Sequence, residues 1–195
     1  MREVTVERNT AETQITLTFN PDGTGRYLVD TGCGFLNHML ELFARHGRFD
    51  LTVICHGDVE VDYHHTAEDV GITLGMAMAK ALGERRGIIR YGSFILPMDE
   101  ALMLCAVDLS GRCTLAYDVK CPTEKVGDFD VECAKEFWYG VARSLPATLH
   151  FRQLAGENSH HILESCFKGM ARAMAQAVAI DAAHPDEIPS TKGVL

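Results

Sequence analysis

The 195-residue sequence lacks several features that would place it in a specialised class. It has no excess of basic residues: 18 Lys and Arg stand against 27 Asp and Glu, a formal charge of −9. Nucleic acids and anionic membranes are gripped by cationic surface, so this balance argues against either as a general partner. No Cys-x-x-Cys occurs. The cysteines (Cys33, Cys55, Cys105, Cys113, Cys121, Cys133 and Cys166) are odd in number and scattered, several of them within apolar runs. This argues against a zinc ribbon and fits reduced thiols packed as small hydrophobes in a cytoplasmic protein. No apolar run approaches membrane-spanning length. The stretch Met1 to Arg8 alternates like a strand and carries no signal-peptide core. Low-complexity segments and obvious linkers are also missing.

What is present is an ordinary globular composition, 47% hydrophobic and 23% charged, in a length that suits one compact unit. Within it the pattern His-His-x-x-Glu occurs twice, at His64-His65-Thr66-Ala67-Glu68 and His160-His161-Ile162-Leu163-Glu164. Each copy opens an apolar-periodic run, which predicts that it occupies the first turn of a helix. Residues i and i+4 share a helix face, so His64 with Glu68, and His160 with Glu164, can each hold one ion. His65 and His161 point about 100° away. The economical arrangement is reciprocal: each site takes a His/Glu pair from one helix and the odd histidine from another.

The surroundings of the two clusters repeat as well. The first half reads as strands at Arg2–Arg8, Thr13–Phe19 and Gly25–Asp30, a helix at about Gly34–Arg45, a strand at Phe49–His56 and the first cluster helix, ending near Gly83. The segment Asn20 to Gly25 is a strong turn signal between the second and third strands. The second half reads as strands at Arg90–Leu96, Glu100–Leu109 and Arg112–Val119, a helix at about Val131–Ser144, a strand at Ala147–Arg152 and the second cluster helix, about His160–Ala179. The expected fold is α+β: a tandem pseudo-repeat of two β-β-β-α-β-α halves, each a four-stranded sheet with two helices on one face. The half-repeats fall at about residues 1–86 and 87–184, with a polar tail at 185–195. His38 lies on the helix before the first cluster, and the matching helix of the second half offers Glu136; both are further candidate ligands.

Imidazole and carboxylate ligands without thiolate suit Mn²⁺, Fe²⁺, Co²⁺ or Zn²⁺, and an octahedral shell with open positions favours Mn²⁺. Such an ion is a Lewis acid that stabilises charge developing on a bound ligand. Arg90, Arg112, Lys168, Ser190 and Lys192 form a separate set able to hold a phosphate by charge-assisted hydrogen bonds.

The stretches Phe35-Leu36-Asn37-His38-Met39-Leu40, Asp62 to Asp69, Pro97 to Leu102, Asp108 to Arg112, Glu157 to His161 and Pro189 to Leu195 span nearly the whole chain in order. Through them the sequence closely resembles imidazoleglycerol-phosphate dehydratase, an enzyme of histidine biosynthesis. The resemblance implies dehydration of a small phosphorylated imidazole substrate, imidazoleglycerol phosphate, to imidazoleacetol phosphate. The route it implies is a metal-bound imidazolate that expels the side-chain hydroxyl. It implies a self-assembled 24-subunit shell with two manganese ions per active site, at subunit contacts. His38, His64, His65, Glu68, His160, His161 and Glu164 are implied metal ligands. Many members have histidine where this chain has Glu136, which leaves Glu136 a carboxylate ligand or one site with a weaker shell. Glu12, His46, Arg90, Arg112, Lys168, Ser190 and Lys192 are implied substrate contacts. Glu12, Glu164 and Asp99 are all candidates for proton transfer. Two other classes share the metal chemistry: a metal-storage or assembly protein, and a binuclear metal phosphohydrolase. The first leaves the arginines unexplained; the second would release inorganic phosphate.

Overall fold

The computed structural model describes residues 2–195 and shows both halves of the expected repeat. Strands β1 (Val4–Asn9), β2 (Thr13–Asn20) and β3 (Tyr27–Asp30) precede helix α1 (Gly34–Gly47), strand β4 (Asp50–Gly57) and helix α2 (His64–Leu82). Strands β5 (Tyr91–Met98), β6 (Ala101–Asp108) and β7 (Thr114–Asp118) then lead through a small hairpin, β8 (Lys125–Val126) and β9 (Phe129–Asp130), to helix α3 (Glu132–Ser144), strand β10 (Thr148–Ala155) and helix α4 (Ser159–Val178). The four-stranded sheets have orders β1-β2-β4-β3 and β5-β6-β10-β7. In each, the third strand of the half runs parallel to the fourth, and the other neighbours are antiparallel. The topologies are therefore identical.

Strict alternation fixes which face of each sheet is covered. Ile15, Leu17 and Phe19 of β2 and Leu51, Val53 and Cys55 of β4 point inward, as do Met103, Cys105 and Val107 of β6 and Leu149 and Phe151 of β10. The helices fill the space between the two sheets, α2 packing on α3 and α1 on α4. Trp138 of α3, fully buried, joins the layers: its ring lies 4.8 Å from Phe167 of α4, 5.0 Å from Phe151 of β10 and 6.0 Å from Phe43 of α1. Burying aromatic rings at this density supplies roughly 2–3 kcal/mol per side chain.

The α2–α3 crossing is backbone on backbone. A Cβ on Gly71 would sit 2.2 Å from the Phe137 carbonyl oxygen, and one on Gly140 would sit 2.8 Å from that of Glu68. Only glycine permits this approach, which places α3 beside the start of α2, where the first cluster lies.

The β8–β9 hairpin has no counterpart among the described residues of the first half. It turns at Gly127 and seats Phe129, 1% exposed, against Phe35 at 5.1 Å between ring centres. Its strands are too short for alternation to mark them. The tail is pinned as well: Gly87 N–H donates to Glu187 O at 2.7 Å and Arg90 Nη1 to Pro189 O at 2.7 Å.

Candidate active site

Both His-His-x-x-Glu copies sit on the first turn of their helices. At each helix start an Asx side chain two residues before the first histidine accepts a backbone N–H; Asn158 is the N-cap of α4, whereas Asp62 precedes Tyr63, the N-cap of α2. Asp62 Oδ1 accepts from His64 N–H at 2.7 Å, and Asn158 Oδ1 accepts from His160 N–H at 2.9 Å and His161 N–H at 3.3 Å. These hydrogen bonds fix the backbone from which the histidines project.

On α4 the i, i+4 pairing is realised: His160 Nε2 lies 3.1 Å from Glu164 Oε2. His38, projecting from α1, brings its Nε2 to 3.8 Å from the same oxygen. Ligand atoms of His38, His160 and Glu164 all lie within 4.8 Å of one another, a spacing one metal ion can bridge. On the far side Glu164 is ion-paired with Lys168, and that ammonium also reaches Met98 Sδ at 3.6 Å. Burial pushes the Glu164 carboxyl up, but Lys168 and the two imidazoles outweigh it and hold the group below its ordinary value. Glu164 is thus an ionised carboxylate with a lone pair for a cation or a proton.

A cavity of about 400 Å³ adjoins this cluster, lined by Phe35, His38, Tyr63, His160 and the β8–β9 hairpin. Phe35 meets the His160 ring edge-on at 5.3 Å, which restricts the imidazole's rotation.

The first cluster is arranged differently. Glu68 pairs with Arg143 of α3 at 3.1 Å. Glu136 is half-buried on α3, and no group of three candidate ligands forms around His64 and Glu68 among the described residues.

The odd histidines form matching pairs. His65 Nδ1 lies 2.9 Å from Asp58 Oδ2, and His161 Nδ1 lies 2.7 Å from Glu100 Oε2. Each of these hydrogen bonds, with the flanking acids, raises the imidazole pKa above its ordinary value. Reciprocally, the His161 hydrogen bond, with the Asn158 and Glu157 N–H groups, draws Glu100 down to about 2. The other ring nitrogens face the two hairpin turns: His65 Nε2 is 3.8 Å from Glu12, and His161 Nε2 is 3.6 Å from Asp99. Glu12 and Asp99 therefore occupy equivalent places, at the β1–β2 and β5–β6 turns. Asp58 and Glu100 were not singled out in the sequence. The structure places Asp58 just after β4 and Glu100 in the β5–β6 turn, a proximity to the cluster histidines that no local pattern marks.

The anion-binding candidates divide into two groups. Arg90, Ser110, Arg112, Ser190 and Lys192 line one cavity of about 590 Å³. Arg90 is held by Asp108 at 2.7 Å, and Gly111, with φ of 76°, turns the chain so that Arg112 follows at the rim. His46 lies elsewhere, in a cavity of about 390 Å³ with Thr24, Arg45, Arg48 and Arg172. Burial, then the Lys168 and Arg172 charges, lowers its pKa. Lys168 stays with Glu164.

Residues 31–174 match the family model for imidazoleglycerol-phosphate dehydratase. The chain belongs to the imidazoleglycerol-phosphate dehydratase family. The Xanthobacter autotrophicus dehydratase is 53% identical over 195 residues, covering 100% of this chain and 99% of that one. The Methylorubrum extorquens dehydratase is 52% identical, with 100% of both chains covered. The structure of the Pyrococcus furiosus dehydratase superimposes with a TM-score of 0.85 at 37% identity, covering 97% of this chain and 100% of that one. The Staphylococcus aureus dehydratase gives 0.83 at 34%, covering 91% and 99%. Membership makes the chain a hydro-lyase with the α+β pseudo-repeat of these structures. No helix among the described residues is long and apolar enough to cross a membrane.

Proposed function

We propose that this dehydratase-family chain converts imidazoleglycerol phosphate to imidazoleacetol phosphate in histidine biosynthesis, and that it does so with Mn²⁺. The observation that carries the reading is the His38–His160–Glu164 cluster, standing apart from a cavity that gathers Arg90, Arg112, Ser190 and Lys192. One region suits an imidazole and a divalent ion; the other suits a phosphomonoester.

The residues fit a metal on two grounds. The cluster's donors are nitrogen and oxygen without thiolate, a set that accepts Mn²⁺. His65 and His161 each give one ring nitrogen to a carboxylate, the usual way a ligating imidazole is oriented, and keep the other for a ligand. We assign His38, His160 and Glu164 to one ion and His64 and Glu68, with Glu136, to a second, giving two per active site. His65 and His161 complete these sites from neighbouring copies. When bound, the ions would act as Lewis acids on the substrate's ring nitrogens.

The chain's own residues supply the rest. Arg112 and Lys192 neutralise the phosphate, and Arg90 and Ser190 complete its shell. This holds the glycerol carbons in one orientation. Dehydration needs removal of a carbon-bound proton and delivery of one to the departing hydroxyl. Glu12, Asp99 and Glu164, each beside an imidazole, are the groups able to move those protons. Lys168, and His46 as a neutral imidazole, supply further substrate contacts.

Because no group of three candidate ligands closes around His64 and Glu68 among the described residues of one chain, we assign Glu136 to that ion across a subunit contact, so that the reading requires self-association; we propose the 24-subunit shell of the family. Tyr27 and Leu28 of β3 and Ile95 of β5 are exposed and available for such contacts. All seven cysteines are free thiols, which supports a cytoplasmic setting.

The test is turnover of chelator-treated protein on imidazoleglycerol phosphate, with and without added Mn²⁺, following imidazoleacetol phosphate and inorganic phosphate together. Mn²⁺-dependent imidazoleacetol phosphate without phosphate release is expected. Phosphate release would identify a hydrolase instead. Folded protein giving no product with any divalent metal would overturn the dehydratase reading.

A further inference from the structure

The connector between α2 and β5 contains a buried cation that the proposed reaction does not use. Its residues Gly83, Arg85, Gly87 and Arg90 all have positive φ, from 51° to 75°. Glycine adopts that conformation freely, but an arginine is strained there and persists only where its contacts over-determine it. Arg90 lines the anion cavity. Arg85 does not, and is only 7% exposed.

The guanidinium of Arg85 is spent on backbone carbonyls. Nη1 donates to Leu109 O at 2.9 Å and Pro146 O at 3.2 Å, and Nη2 donates to Leu145 O at 2.6 Å. Leu109 immediately precedes Ser110-Gly111-Arg112. The Pro146 carbonyl also accepts the Gly111 N–H at 3.0 Å, and the Leu109 N–H donates to Arg90 O at 3.1 Å. One side chain thus ties Leu109, which leads into the Ser110–Arg112 turn and whose own N–H holds the Arg90 carbonyl, to the end of α3. A neutral donor could satisfy carbonyls at a lower desolvation cost than a buried cation. A cation bonded to Leu109, the residue before Ser110 of the cavity lining, also adds positive potential there.

We infer that Arg85 is a positioning residue of the anion cavity, fixing the backbone from which Arg90, Ser110 and Arg112 converge on a phosphomonoester. The inference rests on the reading above that this cavity takes the substrate's phosphate. Arginine is required because its planar fork spans carbonyls on two chain segments, which a lysine ammonium cannot do.

The experiment uses the full chain carrying Arg85→Lys or Arg85→Met. The Michaelis constant for imidazoleglycerol phosphate and the inhibition constant for inorganic phosphate are measured in each, with the melting temperature. Both constants should rise about tenfold in Arg85→Met and less in Arg85→Lys, while kcat stays within about twofold, because ground-state phosphate binding is what weakens. Added guanidinium ion should partly restore both constants in Arg85→Met. If both constants are unchanged while the melting temperature falls, Arg85 is a structural staple and the inference is wrong. Should Arg85→Met fail to fold, Arg85→Lys decides by the same readouts. Arg112→Ala separates the two levels. If it leaves both constants unmoved, the cavity is not the phosphate site and the underlying reading fails, whatever Arg85 does.

Discussion

Replacing Glu164 by Gln removes one charge from the centre of the cluster while preserving shape and one acceptor. The side chain of Glu164 is 7% exposed and that of its partner Lys168 is 15% exposed. Breaking a buried pair by neutralising one member costs about 3–5 kcal/mol, because the other charge stays buried without its partner. Lys168 keeps some solvent and the Met98 sulfur contact, so about 3 kcal/mol is appropriate. For a chain of this length that corresponds to a fall of about 6–12 °C in melting temperature. The assay is thermal unfolding of parent and variant, first in chelator and then across an Mn²⁺ titration. The parent should gain stability with Mn²⁺ by mass action. The variant should start lower and lose most of that gain, having lost both the pair and a ligand. The pH dependence follows from the direction of the shift. The folded carboxyl titrates below its ordinary 4.5, so its contribution is complete above that value and disappears as pH falls through the lower folded one. The gap between the metal-free proteins should therefore persist at neutral pH and close in acid. A variant that melts with the parent in chelator, and gains as much from Mn²⁺, would refute both the pair energy and the ligand assignment.

Other perturbations test the surroundings. In the metal-free protein, NMR titration should find His65 and His161 losing their protons above the ordinary 6.5 and His46 below it. Asp58→Asn and Glu100→Gln should each return the matching histidine toward 6.5, and unshifted curves would remove the carboxylate pairs as orienting groups. Since the folded values of His65 and His161 are raised, the stability these pairs add is present below 6.5 and lost as pH rises through the folded values. Gly71→Ala would drive a Cβ to 2.2 Å from the Phe137 oxygen, so denaturant unfolding should show a loss of about 3 kcal/mol. An unchanged midpoint would mean that α2 and α3 can separate freely. Asp69 accepts from Thr13 Oγ1 at 2.5 Å and from Arg8 at 2.7 Å, fastening the β1–β2 turn that bears Glu12 to α2. Asp69→Asn should cost about 1–3 kcal/mol and lower turnover. Unaltered turnover would detach Glu12 from the chemistry.

Much of this architecture could be read from local patterns, because the patterns and the packing agree. Alternation in Thr13–Asn20 and Ala101–Asp108 marked buried faces that the structure retains, and the His-His-x-x-Glu copies began helices as their apolar periodicity required. Local spacing also brought His160, Glu164 and Lys168 onto one face. What stayed hidden depends on contacts distant in sequence. No spacing rule links Asp58 or Glu100 to a histidine, or Arg85 to carbonyls at positions 109, 145 and 146. The β8–β9 hairpin was missed because two-residue strands carry no period, and the seating of Phe129 against Phe35 decides its place.

The least legible point is how far the two clusters have diverged beneath an identical motif. Lys168 and Ile72 occupy the same place relative to their glutamates, so the counter-charge that Glu164 receives from its own helix has no local source at Glu68. The structure supplies it from α3, through Arg143 at 3.1 Å. Each packing suits its own solution. Glycines at 71 and 140 bring α3 close enough for an arginine to reach across, whereas α4 is seated on its sheet, with Gly92 of β5 against the Ala173 carbonyl and Gly169 against Cys105. Each glutamate therefore has a cation beside it, supplied by a neighbouring helix in one case and by its own helix in the other. Arg143→Met and Lys168→Met should then produce parallel losses at different sites. Each should weaken the orientation of one carboxylate and change Mn²⁺ affinity about tenfold or more, the effect typical of a residue that orients a metal ligand. Calorimetric titration resolving two classes of bound metal would show each substitution acting on one class. If both variants shifted both classes equally, the two clusters would be one coupled centre and the separate assignment of ligands would have to be abandoned.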